Sequence, residues 1–289
     1  MKNLVTALTT TALFSVLCFV AEAQQKGKAL FPQAPGLQTY TYRESMAKNV
    51  PATLDTIRAL GIHIVESSPT PSGITAQAYR KLLDERQLKC ASIGVSYDEL
   101  VKNPEAVAEK ARTIGAEFVM TPWIPHEKPF TLDAAKKAVA DFNKAGKILK
   151  EKGITFCYHT HGFEFEKREH GTLFDYMVKN TDPKFVSFEM DIMWVFYGGA
   201  DPAGLLLKYP GRWKLMHLKD LRKGVKGDNT GNGAEENDVT LGTGQLSIPE
   251  ILRAAKKVGV KYYFIEDESP IFREQVPQTI NYLRGLTEN

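Results

Sequence analysis

Five stretches of this 289-residue chain end in groups that bind cations or move protons. They are Glu66 closing Gly-Ile-His-Ile-Val-Glu, the run His159-Thr160-His161-Gly162-Phe163-Glu164, the pair Glu189 and Asp191, the group His217, Lys219 and Asp220, and the triplet Glu266-Asp267-Glu268. Imidazole and carboxylate without thiolate form a donor set for one divalent ion, Mn2+, Mg2+, Co2+ or Zn2+, in a partly open site. A single carboxylate at a strand end is most often solvated or caps a helix, and a single His there is most often structural. Five such ends in one chain point instead to one shared polar active site. His63, His126 and His170 stand apart from these runs and are given no role.

The segments that must position these groups are short runs of β-branched and aromatic residues. Strands are expected at 37–42, 63–68, 89–95, 118–124, 155–161, 185–191, 214–219 and 262–267. Period-two alternation puts His159 with His161, Glu189 with Asp191, His217 with Lys219 and Glu266 with Glu268 on shared faces. Apolar residues at helical spacing predict helices near 51–60, 75–87, 104–114, 133–152, 172–180, 202–209, 248–258 and 272–285. Gly61, Gly115, Gly153 and Gly259 fit the position just past a helix end. Thr172, Asp201 and Ser247 fit N-caps, and Pro202 fits a first turn.

Strict alternation of strand and helix demands a parallel sheet, because each return needs a crossover. Eight units close into a (β/α)8 barrel, an α/β fold whose mouth lies at the C-terminal strand ends. An open doubly wound sheet is the rival, but no Gly-x-Gly-x-x-Gly follows an early strand. No linker or change of composition divides the chain, so one domain is expected.

Residues 1–23 read as a cleaved secretory signal: a basic start, an apolar run from Leu4 to Val20, and Ala21-Glu22-Ala23. Cys18 raises a lipoprotein, but Leu17 before it is a poor fit to a lipidation site. The mature barrel is then 24–289, exported to the periplasm, with no membrane attachment after cleavage. Cys90 and Cys157 sit in apolar strand-like runs and are expected to be free core residues rather than a disulfide. A net charge of +3 advertises neither nucleic acid nor an anionic membrane as partner.

At these residues the chain resembles the xylose isomerase-like TIM-barrel superfamily, in its sugar phosphate isomerase/epimerase branch. The resemblance rests on Gly-Ile-His-Ile-Val-Glu, Tyr-His-Thr-His-Gly-Phe-Glu-Phe, Met-Asp-Ile-Met-Trp, Met-His-Leu-Lys-Asp and Leu-Gly-Thr-Gly, in that order along nearly the whole mature chain. It implies one divalent metal held by a Glu of strand 5 together with Asp191, His217 and Glu266. Strand 5 departs from the pattern, showing His159 where many members have Glu. Glu164, brought round by the Gly162 turn, is the favoured ligand, and His159 itself is the alternative. Trp194 stands where isomerases of the group often carry a His.

The implied chemistry is proton transfer through an enediolate of a sugar or keto-sugar, with His159 or His161 as base and Lys219 as acid or oxygen-polarising group. Glu66 is expected to hold a hydroxyl at the rim, with Trp123, Trp194 and Phe163 against a sugar face. Isomerisation or epimerisation is the first reading. A keto-sugar dehydratase or hydratase, or a 3-keto-glycoside lyase, is the alternative, and a non-catalytic sugar-binding barrel the rival from outside enzymes. Residues 222–245, rich in Gly, Asn and Asp, are read as a loop over the substrate, while Gly242-x-Gly244 is too short for a phosphate cradle. Export favours a small neutral sugar over a phosphorylated one. The related apurinic endonucleases are excluded because the early strands lack the extra His ligands. A homo-oligomer is left open.

Overall fold

In the computed structural model, which describes residues 28–31 and 34–288, the eight expected runs become eight parallel strands that close on themselves. They are β1 (Gly36–Gln38), β2 (Ile64–Ser67), β3 (Lys89–Gly94), β4 (Phe118–Thr121), β5 (Thr155–His159), β6 (Val186–Asp191), β7 (Trp213–Leu218) and β8 (Tyr262–Ile265). Each strand pairs with its neighbour in the chain, and β8 closes the ring against β1. The expected leader at residues 1–23 lies outside the described residues. Among those described, no helix is long and apolar enough to cross a membrane.

The outer ring is α1 (Val50–Ala59), α2 (Ala76–Glu85), α3 (Pro104–Ile114), α4 (Leu132–Glu151), α5 (Leu173–Asn180), α6 (Pro202–Lys208), α7 (Ile248–Val258) and α8 (Phe272–Gly285). In α4, Ala135, Ala138, Val139, Phe142, Ala145 and Leu149 form one buried stripe at helical spacing. Gly146 lies in that stripe because a Cβ there would come within 2.4 Å of the Phe185 carbonyl, so this helix and the start of β6 meet backbone to backbone. Gly61, Gly115, Gly153 and Gly259 all have positive φ past helix ends, as expected. Thr172 and Asp201 cap with their side chains; Ser247 occupies the N-cap position without a side-chain bond.

Two apolar cores result. The larger lies between strands and helices; the smaller joins Ala91, Phe118, Cys157, Leu215 and Phe264 inside the barrel. Each fully buried large apolar side chain contributes about 1.5–3 kcal/mol relative to exposure. Cys90 and Cys157 are free and buried, and burial pushes the Cys90 thiol up to about 12.

Departures from the expected pattern fall at the strand ends. β1 stops at Gln38 because its side chain accepts the Tyr40 N–H at 3.1 Å, turning 39–42 into a 3-10 helix. β5 stops at His159, and Gly162 at φ 96° turns the chain into the 3-10 helix Phe163–Phe165. Additional short helices span Arg43–Lys48, Tyr97–Lys102 and Ile192–Tyr197. The loop after β7 folds back on itself through an antiparallel pairing of Asp220–Leu221 with Asp238–Val239.

Candidate active site

Strands β5, β6, β7 and β8 deliver His159, Asp191, His217 and Glu266 to one buried point at the barrel mouth. His159 Nε2 lies 3.1 Å from His217 Nδ1 and 3.7 Å from Asp191 Oδ2. His217 Nδ1 is 3.8 Å from Asp191 Oδ2 and 3.2 Å from Glu266 Oε2. An ion with bonds of about 2.0–2.2 Å sets tetrahedral donors roughly 3.3–3.6 Å apart, which is the spacing of this group. Asp191 Oδ2 has no hydrogen-bond donor although it is fully buried. Two imidazole nitrogens and two carboxylate oxygens facing one another, one of them orphaned, fit a divalent ion and little else.

The outer face of His217 is held by carboxylate. Its Nε2 lies 2.7 Å from Glu66 Oε1, which also accepts from Gln38 Nε2 at 2.7 Å. A proton on Nε2 directed at Glu66 leaves Nδ1 free to face the cluster, the usual arrangement behind a ligating His. Glu66 is therefore not at the rim where it was expected. It is fully buried behind His217 and lines no part of the cavity.

Glu164 also lies apart from the cluster. The Gly162 turn brings its Oε1 to within 2.8 Å of the His161 backbone N–H, which it accepts. His159, not Glu164, supplies the strand-5 donor in the converging group. Burial pushes the Glu164 carboxyl up to about 7, against its ordinary 4.5. The folded chain then holds a proton that the unfolded chain releases across that window, so this group's stabilisation is present below pH 4.5 and is lost as pH rises to 7. The loss is about 3 kcal/mol. Glu164→Gln is expected to flatten it, read as urea-unfolding free energies at about pH 5 and about pH 8. An unchanged pH slope in the variant would overturn the assignment.

Above the cluster opens a cavity of about 590 Å³, with His159, His217 and Glu266 on its floor. His161, half-buried, stands on its wall, stacked on Trp194 at 4.7 Å and 20° and set edge-on to Trp123 at 5.1 Å. Burial first, and then neighbouring His159, push the His161 imidazole down to about 3, so it is neutral at ordinary pH. Its Nδ1 has no partner.

Lys219 does not reach the cavity surface. It is buried beside Asp238 and Glu266, each at 3.4 Å, and bonds Glu268. Burial works against its charge, yet these carboxylates hold its pKa well above the ordinary value. Glu268, in contrast, lines the cavity, and so does Tyr40. Glu268 is the strand-8 residue that period two pairs with Glu266, whereas Tyr40 is placed by the 3-10 turn after β1, which the spacing did not single out.

The loop at 222–245 does cover the cavity: Gly231, Asn232, Gly233 and Glu235 form part of its lining. Gly231 has φ 67° and lies against Phe163 and Trp123, where a Cβ would meet the Phe163 ring at 2.8 Å. The loop is tied down by Arg43 to Glu235 at 2.7 Å and Asn229 to Glu166 at 3.1 Å. Asp220 accepts the N–H groups of Gly242 at 2.9 Å and Gly244 at 3.0 Å, so that turn has no free donors for a phosphate. Because Arg43 and Glu235 are partly exposed, their pair is worth at most about 1 kcal/mol. Arg43→Ala is expected to raise KM by no more than about fivefold with kcat unchanged; a large fall in kcat would show that the arginine does more than hold the loop.

Residues 54–286 match the family described as xylose isomerase-like TIM barrel. The chain belongs to that family. Among solved structures, this xylose isomerase-like barrel is similar to a sugar phosphate isomerase/epimerase from Parabacteroides distasonis, with TM-score 0.71 and 25% identity over 92% of this chain and 96% of that one. It is also similar to the IolI protein, solved with a bound zinc atom, with TM-score 0.67 over 87% of this chain and 95% of that one. At 14% identity this second likeness speaks to the fold. Among curated relatives, an inosose dehydratase from Clostridium tetani is 38% identical over 101 residues, 34% of this chain and 33% of the relative. Relatives of that name are matched over about a third to about a half of their length.

Proposed function

We propose that this barrel is a divalent-metal-dependent lyase that removes a group β to the carbonyl of a keto-sugar or keto-cyclitol. The observation that carries it is the buried quartet His159, Asp191, His217 and Glu266 beneath an aromatic-walled cavity. The likeness to inosose dehydratases supports elimination over the isomerisation or epimerisation expected first from the sequence. Both outcomes share the same first step, so residue types alone do not separate them.

The four side chains would hold the ion, which when bound polarises the substrate carbonyl and eases removal of the adjacent proton. His161, which lines the cavity, accepts that proton on its ring. The electron pair left on carbon expels the β-oxygen, which takes up the proton now held by His161, while Glu268, a carboxylate bonded by Lys219 at the cavity wall, accepts a hydrogen bond from a substrate hydroxyl. With a hydroxyl at the β-carbon the net change is loss of water. Trp194 and Trp123 fix His161 between them and exclude water from that wall.

The ligand is taken to be uncharged. Lys219 is engaged by three carboxylates, and the Gly242 and Gly244 N–H groups by Asp220. A second reading, in which the leaving group is an alcohol from a 3-keto-glycoside, is favoured by cavity size. About 590 Å³ is room for a drug-sized ligand rather than one six-membered ring.

The test is incubation with a panel of keto-cyclitols, keto-sugars and 3-keto-glycosides in deuterated water, with and without chelator. Metal-dependent deuterium exchange next to the carbonyl, with release of water or alcohol, is the expected result. Exchange without elimination would restore the isomerase reading. Binding without any exchange would leave a sugar-binding barrel.

A further inference from the structure

Below the quartet lies a second set of donors that the reaction above does not use. Glu66 and Glu189 are fully buried and approach His217 from its other side, with Nε2 2.7 Å from Glu66 Oε1 and 3.3 Å from Glu189 Oε1. The three ligand atoms lie within 4.8 Å of one another. Only Glu66 Oε1 has hydrogen-bond partners; Glu66 Oε2 and both Glu189 oxygens have none. Barrel interiors at this depth are ordinarily filled by branched apolar side chains.

The strand pairing is irregular beside both carboxylates. A register shift against β3 falls between Val65 and Glu66, and another against β7 falls between Phe188 and Glu189. In each pair the extra residue lies on the neighbouring strand, Ala91 of β3 and Lys214 of β7, while β2 and β6 keep their period-two alternation. That alternation points both glutamates into the barrel, where they reach the same imidazole. Charge points the same way. Lys219 lies against Glu266, Asp238 and Glu268, so among the described residues Glu66 and Glu189 have only the His217 ring as a basic group at ion-pair distance.

We propose that Glu66, Glu189 and Nε2 of His217 hold a second divalent cation, with the His217 ring bridging the two ions. Coordination at both nitrogens requires the ring to release its remaining N–H proton to solvent as the ion enters. The two carboxylates match the ion's charge. Neither glutamate lines the cavity, so this ion ties β2, β6 and β7 together and fixes the ring without meeting substrate. The proposal shares His217 with the reading above and is independent of the reaction assigned there.

Zinc per chain, measured by plasma mass spectrometry after loading with Zn2+ and desalting, tests it. Two equivalents are expected for the natural chain, and one for each of Glu189→Gln and Asp191→Asn. One equivalent in the natural chain overturns the lower site and leaves the upper; none overturns both. Two equivalents retained by Glu189→Gln place the second ion elsewhere and also overturn it. Should Glu189→Gln fail to fold, anomalous scattering at the zinc edge from crystals of the natural chain decides. Peaks on both sides of the His217 ring support the proposal, and a peak on one side alone refutes it.

Discussion

Asp191→Asn is expected to leave the barrel folded, lose the ion held by the quartet and lower kcat/KM by at least about 10³-fold. The two oxygens of this carboxylate have separate tasks. Oδ1 accepts the N–H groups of Met193 and Trp194, both at 2.9 Å, and so caps the helix Ile192–Tyr197. Oδ2 faces His159 and His217 with no donor of its own. An amide with its oxygen at the Oδ1 position keeps the cap and puts N–H where an ion would need a lone pair. Stability should then change by less than about 1 kcal/mol, because the cap is retained. Metal content, thermal unfolding and turnover measured on the same preparation separate the two tasks. A variant that keeps both its metal and its activity would remove Asp191 from the site; one that unfolds would show that the Oδ2 side of the carboxylate holds the fold as well as the ion.

The strands were legible because the sequence alternates β-branched runs with helical periods, and Gly, Thr and Asp mark most boundaries with side chains that act locally. Asp191, His217 and Glu266 were legible as a group for the same reason: each ends or just follows a strand, and period two aims all three into the barrel. What local patterns do not carry is the direction of a turn. Gly162 takes the chain out of β5 such that Glu164 bonds backbone rather than joining the quartet, leaving His159 as the strand-5 member. Glu66 reads as a rim residue, yet its strand sets it deeper in the barrel, behind His217. Neither event has a sequence signature, since both are decided by which strands lie alongside.

The helix Ile192–Tyr197 illustrates the same limit. Its residues are all apolar or aromatic and are assigned to no element by spacing, but the Asp191 cap and burial on most sides set them as helix. The choice between isomerase and lyase is of another kind. It depends on what lies β to the carbonyl in the substrate, which no side chain of the quartet reports.

His161→Phe is expected to lower kcat by about 10²- to 10⁴-fold, the usual contribution of a positioned general base, with metal content unchanged. Phenylalanine keeps the planar ring stacked on Trp194 and edge-on to Trp123, so the wall of the cavity stays in place. What it lacks is an imidazole nitrogen to take the proton at the cavity wall. Because burial and His159 push that imidazole down to about 3, it remains neutral from weakly acidic to weakly basic pH. Activity governed by His161 should therefore show no acid limb near the ordinary histidine value of about 6.5. A limb there would assign proton transfer to another group. The pairing with Asp191→Asn is what makes the result readable. Loss of turnover with the metal retained means that the base is missing, whereas loss of both means that the ring was supporting the quartet rather than taking the proton.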